Sequence, residues 1–86
     1  MPYTYILYSE KLGKFYIGAC LDSERRLNEH NKGNSKFTSL GIPWQIVYME
    51  EYETLTQAKK RELEIKKMKS RKYIENLIAK GRASRF

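Results

Sequence analysis

A basic amphipathic segment with an acidic residue inside its apolar stripe constrains this chain most. The segment runs from Thr54 to Lys69 and reads TLTQAKKRELEIKKMK. At 100° per residue, its apolar side chains fall on one helical face: Leu55, Ala58 and Ile65. Glu62 falls on that same face, whereas Glu64 lies on the opposite side. The helix must therefore bury its stripe against a second layer, and Glu62 needs a cation, a metal or hydrogen-bond donors beside it.

The length and composition are those of one small globular domain. The chain has 86 residues, of which 41% are hydrophobic, enough for a single core. No apolar run approaches the roughly 20 residues that span a bilayer. The N-terminus, MPYTYILYSEK, lacks the basic and apolar regions of a signal peptide. The single cysteine, Cys20, excludes an internal disulfide and predicts a cytoplasmic protein, with the thiol as an apolar filler.

The pattern of side chains predicts the element order β-β-α-β-α-α. The predicted strands are rich in β-branched and aromatic residues and cover Tyr3–Tyr8, Phe15–Leu21 and Trp44–Tyr52. The predicted helices start at polar caps, namely Asp22, Thr54 (with Gln57 as a capping box) and Ser70. We therefore expect an α+β fold with a three-stranded antiparallel sheet flanked by helices.

Three further expectations concern the connections and the ends. Gly18 interrupts the second strand and predicts a bulge or a close approach of backbone. Residues 32–43 hold two glycines and a proline and predict a loop. Residues 1–80 form the predicted domain, and residues 81–86 a basic C-terminal tail.

The positive charge of the chain is concentrated on the two C-terminal helices. The net charge is +7, and residues 59–72 carry eight cations against two acids. Such a cluster favours contact with a phosphate backbone through counterion release, although lysines on a helix also serve solubility. The predicted backbone contacts are Lys36, Lys59, Lys66, Lys67, Lys69, Arg71 and Lys72, joined by Arg82 and Arg85 of the tail.

Few residues remain that could carry chemistry. One cysteine and one histidine cannot form a structural zinc site, and no glycine-rich phosphate loop is present. Arg26 and His30 are four residues apart, so they share a helical face and could hold a phosphate. Seven tyrosines include Tyr5 and Tyr16 in the first hairpin. Such phenols are commonly core residues, but a cation nearby can draw a tyrosine pKa toward working pH.

These residues together resemble the GIY-YIG nuclease superfamily. The second motif of the family stands intact as Tyr16-Ile17-Gly18, and Tyr5 lies eleven residues before Tyr16. Arg26 and His30 follow within DSERRLNEHNKG, which is similar to the family's arginine helix. Glu62, within AKKRELEIKKMKSRK, matches the family's acidic metal ligand. The resemblance covers roughly residues 3–78.

Two departures from the family pattern stand out. The first motif reads Tyr3-Thr4-Tyr5, so only its tyrosine remains. Larger members carry an asparagine after the last core element, and Asn76 matches it by residue type alone.

The resemblance implies a metal-dependent DNA endonuclease that hydrolyses phosphodiester bonds. It implies Mg²⁺ or Mn²⁺ on Glu62, transition-state stabilisation by Arg26, and activation of water by Tyr5. Tyr16 and His30 would orient the phosphate and water, and Gly18 would allow close backbone approach to nucleic acid. Since the single domain carries no base-reading element, we expect a substrate chosen by shape, or a partner protein that supplies specificity, in DNA repair or recombination.

Three alternatives stay open from the sequence. A nucleic-acid-binding module of the same fold with little or no cleavage would carry the same charges. A protein-interaction adaptor would show no salt-dependent affinity for DNA. Glu62 could instead be a structural salt-bridge partner, and the run from Glu50 to Glu53 offers other acids, which we interpret as a solvated strand end.

Overall fold

A three-stranded antiparallel sheet forms the centre of the molecule. The computed structural model describes residues 2–21, 23–32 and 39–84. The strands are β1 (Tyr3–Ser9), β2 (Lys14–Cys20) and β3 (Trp44–Glu51), in the spatial order β2-β1-β3. The helices are α1 (Ser23–Asn31), α2 (Leu55–Met68) and α3 (Arg71–Ser84). The predicted fold class and element order are confirmed.

The alternation of side chains along the central strand separates two apolar clusters, one on each face of the sheet. One cluster packs beneath α2 and α3, and its buried members are Ile6, Ile17, Tyr48, Ile65 and Ile74. The other packs beneath α1, and its buried members are Tyr5, Leu7, Cys20 and Trp44. The chain therefore has three layers, with β2 and β3 as the edge strands of the sheet.

Helix α2 is held at both ends and in its first turn. The predicted capping box is present, because Thr54 accepts from the Gln57 amide and the Gln57 side chain accepts from the Thr54 amide. Thr4 of β1 donates its hydroxyl to the Ala58 carbonyl at 2.7 Å. Lys69 ends the helix in a left-handed conformation (φ 48°), and its amide donates to the Lys66 carbonyl. These contacts fix the rotation of α2 and so the direction of its stripe.

One sequence prediction, the bulge at Gly18, takes a different form in the structure. The pairing of β1 with β2 runs without a shift through Tyr5 and Gly18, so the bulge allowed at Gly18 is not there. The register shift lies instead between β1 and β3, at Ile6 and Leu7. Helix α3 continues to Ser84, past the predicted start of the tail at residue 81.

Some predictions fall outside the described residues. These are the cap at Asp22, the phosphate contact of Lys36 and that of Arg85. Within the described part of the chain, no helix is long and apolar enough to cross a membrane.

Candidate active site

Tyr5 and Arg26 are in direct contact. Arg26 Nε donates a hydrogen bond to Tyr5 Oη at 3.3 Å, across 21 residues of sequence. Tyr5 is 1% exposed on β1, whereas the Arg26 side chain on α1 is 45% exposed and also pairs with Glu29 at 3.4 Å. Arg26 therefore reaches from the buried phenol toward the surface, with its guanidinium held from two sides.

Gly18 explains how the Tyr5 ring fits against the sheet. The two residues are paired across β1 and β2. A Cβ atom at position 18 would lie 2.3 Å from Tyr5 Oη and 2.5 Å from Cζ, closer than real Cβ contacts. The close approach predicted at Gly18 is therefore made by the Tyr5 ring, and a contact of Gly18 with nucleic acid stays a prediction.

Tyr16 completes this cluster on the same face of the sheet. It packs against the same buried cluster as Tyr5. Its ring meets the Trp44 ring edge-on, with centroids 6.2 Å apart. The Trp44 backbone is in turn fixed by Asn31 at the end of α1, which accepts from the Trp44 amide at 2.7 Å and donates to its carbonyl at 3.3 Å.

The environment of Tyr5 keeps its hydroxyl protonated. Burial raises the pKa of Tyr5 to about 12, and the hydrogen bond from Arg26 offsets only part of that rise. The Arg26 guanidinium by itself does not draw the pKa of Tyr5 toward working pH, and the combined effect of a metal and the guanidinium stays a prediction. The contact with Tyr5 also raises the pKa of Arg26, so the guanidinium stays charged.

A hollow of about 350 Å³ opens between the end of β2, α1 and the first turns of α2. Its lining includes the cations Arg25, Arg26 and Lys59, together with Glu29, Leu55 and the Ala19–Leu21 segment. Three cations around one hollow suit a phosphate group. The hollow lies at the edge strand, where residues from both faces of the sheet can reach the same ligand.

Glu62 lies on α2 one helical turn beyond Lys59, and it is not among the residues that line the hollow. It occupies the stripe between Ala58 and Ile65, which are 0% and 1% exposed, and its own side chain is 20% exposed. The cation that the sequence requires near this acid is Lys66, which donates to Glu62 across one turn of the helix.

A divalent cation at Glu62 fits a site that is completed by the substrate. Among the residues that the structure describes, no group of three or more His, Cys, Asp or Glu side chains could hold a metal. The part of the chain that the structure describes therefore does not supply a closed cage of protein ligands. Mg²⁺ suits such a place, because it commonly binds one or two carboxylates and takes its other ligands from water and phosphate.

Other predicted site residues include a histidine of α1 and three cations of the C-terminal helices. His30 lies on α1, but its side chain is outside the described part of the structure. Arg71 packs over the Phe15 ring at 5.2 Å and donates to the Gly13 carbonyl at 2.8 Å, so it ties α3 to the first hairpin. Lys67 and Lys72 are exposed, and their phosphate contacts stay predictions.

Sequence reasoning missed a polar network on the other face of the sheet. Glu50 accepts from Arg61 Nε at 2.9 Å, from Tyr52 at 2.6 Å and from Tyr48. The Glu50 and Arg61 side chains are 19% and 21% exposed, so the interpretation of Glu50 as part of a solvated strand end is wrong. The signal was present in the alternation of β3, which puts Tyr48 and Glu50 on one face, and Tyr52 continues that alternation just past the end of the strand.

The comparisons with known proteins agree with this fold. Residues 1–74 match the model of the GIY-YIG catalytic domain, and the chain therefore belongs to the GIY-YIG family. UPF0213 protein SSP2268 from Staphylococcus saprophyticus is 40% identical over 80 residues, which are 92% of this chain and 95% of that protein. A UPF0213 protein from Staphylococcus aureus strain Mu3 is 44% identical over 55 residues, 63% of this chain and 67% of that one.

A solved structure is similar over nearly the whole chain. It is the solution NMR structure of UPF0213 protein BH0048 from Bacillus halodurans, with 32% sequence identity and a TM-score of 0.58. The match covers 94% of this chain and 87% of that one.

Proposed function

We propose that this protein is a metal-dependent DNA endonuclease that hydrolyses phosphodiester bonds and selects its substrate by structure rather than by sequence. The contact between Arg26 and the buried Tyr5, beside a hollow lined by three cations, is the observation that carries the proposal. Membership of the GIY-YIG family supports the same reaction. Processing of branched or flapped DNA in repair or recombination is the natural setting.

In this proposal, Arg26 donates to the oxygens of the scissile phosphate and stabilises the charge that develops as water attacks phosphorus. Tyr5 acts as a neutral hydroxyl that fixes the direction of Arg26 and can donate a hydrogen bond to a phosphate or water oxygen. Tyr16 and His30 orient the phosphate and the attacking water. When bound at Glu62, Mg²⁺ would neutralise charge on the phosphate and on the leaving oxygen.

Backbone binding falls to the cations around the hollow and along α2. Lys59 lines the hollow, and Lys66 lies seven residues further on the same helical face, about 10 Å along the axis. Such contacts position a strand without reading its bases. Choice of substrate therefore depends on DNA shape or on a partner protein.

A cleavage assay tests the proposal. We expect the purified protein to nick branched, flapped or single-stranded DNA only with Mg²⁺ or Mn²⁺. Glu62→Ala and Arg26→Ala should each lower the rate at least about 100-fold, because each removes charge stabilisation at the phosphate, while DNA binding is largely retained. Binding without nicking of any of these substrates would favour the non-cleaving binding module.

A further inference from the structure

The carboxylate of Glu62 is already shared with a cation of its own helix. Lys66 donates to Glu62 Oε2, and the two side chains are 46% and 20% exposed. Positions four apart lie on one face of a helix, and an acid N-terminal to its lysine is the favourable order. The proposed metal ligand is therefore neutralised from within the chain.

Lys66 pairs with Glu62 on the helix that also carries Lys59 of the hollow. Lys59 precedes Glu62 by three residues and lines the phosphate-sized hollow together with Arg26. Lys59, Glu62 and Lys66 follow one another at spacings of three and four, so they form one row on α2. An ammonium group at the end of this row can reach either the carboxylate or a phosphate bound beside it.

A divalent cation on Glu62 would compete with Lys66. The described residues supply no cluster of three acids or imidazoles that could hold a metal against this neighbouring charge. A bound phosphate would favour the metal in this competition for Glu62. It would add oxygen ligands for the metal, and it would give the Lys66 ammonium a second anion to pair with.

We propose that Lys66 is a displaceable counterion of Glu62 that makes metal binding depend on the presence of DNA. This inference rests on the function proposed above. In the free protein, Lys66 neutralises Glu62 and keeps its affinity for Mg²⁺ low. When a strand enters the hollow, Lys66 Nζ transfers to a phosphate oxygen, and the released carboxylate binds the metal.

The exchange is easy because the internal pair is weak. Exposed ion pairs four residues apart contribute little to stability and are readily broken. The positive charge of Lys66, four residues from Glu62, still repels a divalent cation strongly enough to lower the affinity of Glu62 for that cation several-fold. Lys66 is thus a positioning residue that acts through Glu62.

Direct measurement of Mn²⁺ binding tests the inference without relying on cleavage. Free Mn²⁺ is followed by electron paramagnetic resonance in titrations of wild type, Lys66→Met, Lys60→Met and Glu62→Gln. Lys60 is the charge-matched control, since it lies two residues from Glu62 and lines a different hollow with Glu50 and Glu64. Without DNA, we expect Lys66→Met to bind Mn²⁺ about three- to tenfold more tightly than wild type, and Lys60→Met to stay within about twofold.

A second series adds a branched oligonucleotide with phosphorothioate linkages, which keep the backbone charge. The oligonucleotide should raise the Mn²⁺ affinity of wild type more than that of Lys66→Met, and by linkage Mn²⁺ should raise DNA affinity by the same factor in each protein. A purely structural Lys66 would lower the melting temperature and leave both affinity ratios unchanged.

The outcomes separate this inference from the proposed function. Suppose that Lys66→Met and Lys60→Met bind Mn²⁺ equally well and that Glu62→Gln abolishes binding. That result would overturn the role of Lys66 and leave the metal site in place. Mn²⁺ binding that Glu62→Gln does not change, with or without DNA, would overturn the metal site and the proposed reaction together.

Discussion

Tyr5 belongs to both the core and the candidate site, because its ring is buried in the core and its hydroxyl contacts Arg26. Its ring is 1% exposed and fills the space above Gly18, while its hydroxyl accepts the hydrogen bond from Arg26. In that position the uncharged hydroxyl accepts a hydrogen bond from the Arg26 guanidinium and holds it in one direction. The same burial that fixes its direction makes a phenolate unfavourable, because charge loses its hydration there.

Replacement of the Tyr5 hydroxyl should therefore change the response to alkaline pH. The pKa of Tyr5 is about 12 in the folded protein, against the ordinary tyrosine value of 10.0 that applies to the unfolded chain. A raised folded-state pKa gives stability that is present below pH 10 and is lost as pH rises toward 12, at about 1.4 kcal/mol per unit. We expect the stability of wild type relative to Tyr5→Phe to fall by about 2–3 kcal/mol across that window.

Urea unfolding of both proteins at intervals from pH 7 to pH 12 measures this difference. The values at pH 7 serve as the reference, and tyrosines common to both proteins cancel. A constant difference over the whole range would mean that the folded protein leaves the ionisation of Tyr5 unperturbed.

At the scale of elements, two of the polar contacts that hold the helices against the sheet involve β3. Asn31 pins the end of α1 to the backbone of Trp44 at the start of β3. Arg61 pins α2 to β3 through Glu50, and its Nη1 also donates to Tyr73 of α3 at 3.3 Å. The first contact orients the helix that carries Arg26, and the second orients the helix that carries Glu62.

Glu50→Gln should weaken the attachment of α2 and flatten the acid side of the stability profile. Burial by itself would raise the pKa of Glu50, but hydrogen bonds from Arg61, Tyr48 and Tyr52 outweigh it and lower the pKa. A lowered folded-state pKa gives stability that is present above the ordinary value near 4.5 and is lost as pH falls through the folded value. At pH 7 we expect a loss of about 1–3 kcal/mol.

Chemical unfolding at pH 7 and at pH 3 checks this expectation, with Glu51→Gln as the neighbouring exposed control. Glu51→Gln should change the unfolding free energy at pH 7 by no more than about 0.5 kcal/mol. Equal losses for the two variants would show that the network around Glu50 adds nothing to stability.

For the whole molecule, the net charge of +7 and its concentration on the two C-terminal helices should govern encounters with the proposed substrate, DNA. The hollow at the edge of β2 carries three of the cations, and α2 continues the positive surface from there. Affinity for DNA should fall steeply with salt, since each neutralised phosphate releases counterions.

Lys59→Met should therefore reduce the magnitude of the slope of log affinity against log salt by about 1, whatever the sequence of the oligonucleotide. Lys60→Met, which removes the same charge on the side of α2 nearer Glu50, should change the slope less. Fluorescence anisotropy between low and moderate salt measures both slopes. Binding that does not depend on salt would favour the protein-interaction adaptor.

Local sequence accounts for most of the fold because its signals act over few residues. The capping box at Thr54, the alternation within the strands and the stripe on α2 need only neighbours within one or two turns. The motif around Gly18 and the position of Glu62 within the stripe indicated the family in the same way, and the match to the family's catalytic domain confirmed it.

Tertiary structure alone decided which of these side chains meet. Tyr5 and Arg26 come together because the β1–β2 register and the packing of α1 place them so, and no local pattern encodes a contact across 21 residues. The same holds for the pKa of Tyr5, which burial raises, and for Glu50, which the fold turns from a surface acid into the centre of a network. The sequence by itself determined the elements and the residues available for chemistry, whereas their burial and their partners depended on packing between layers.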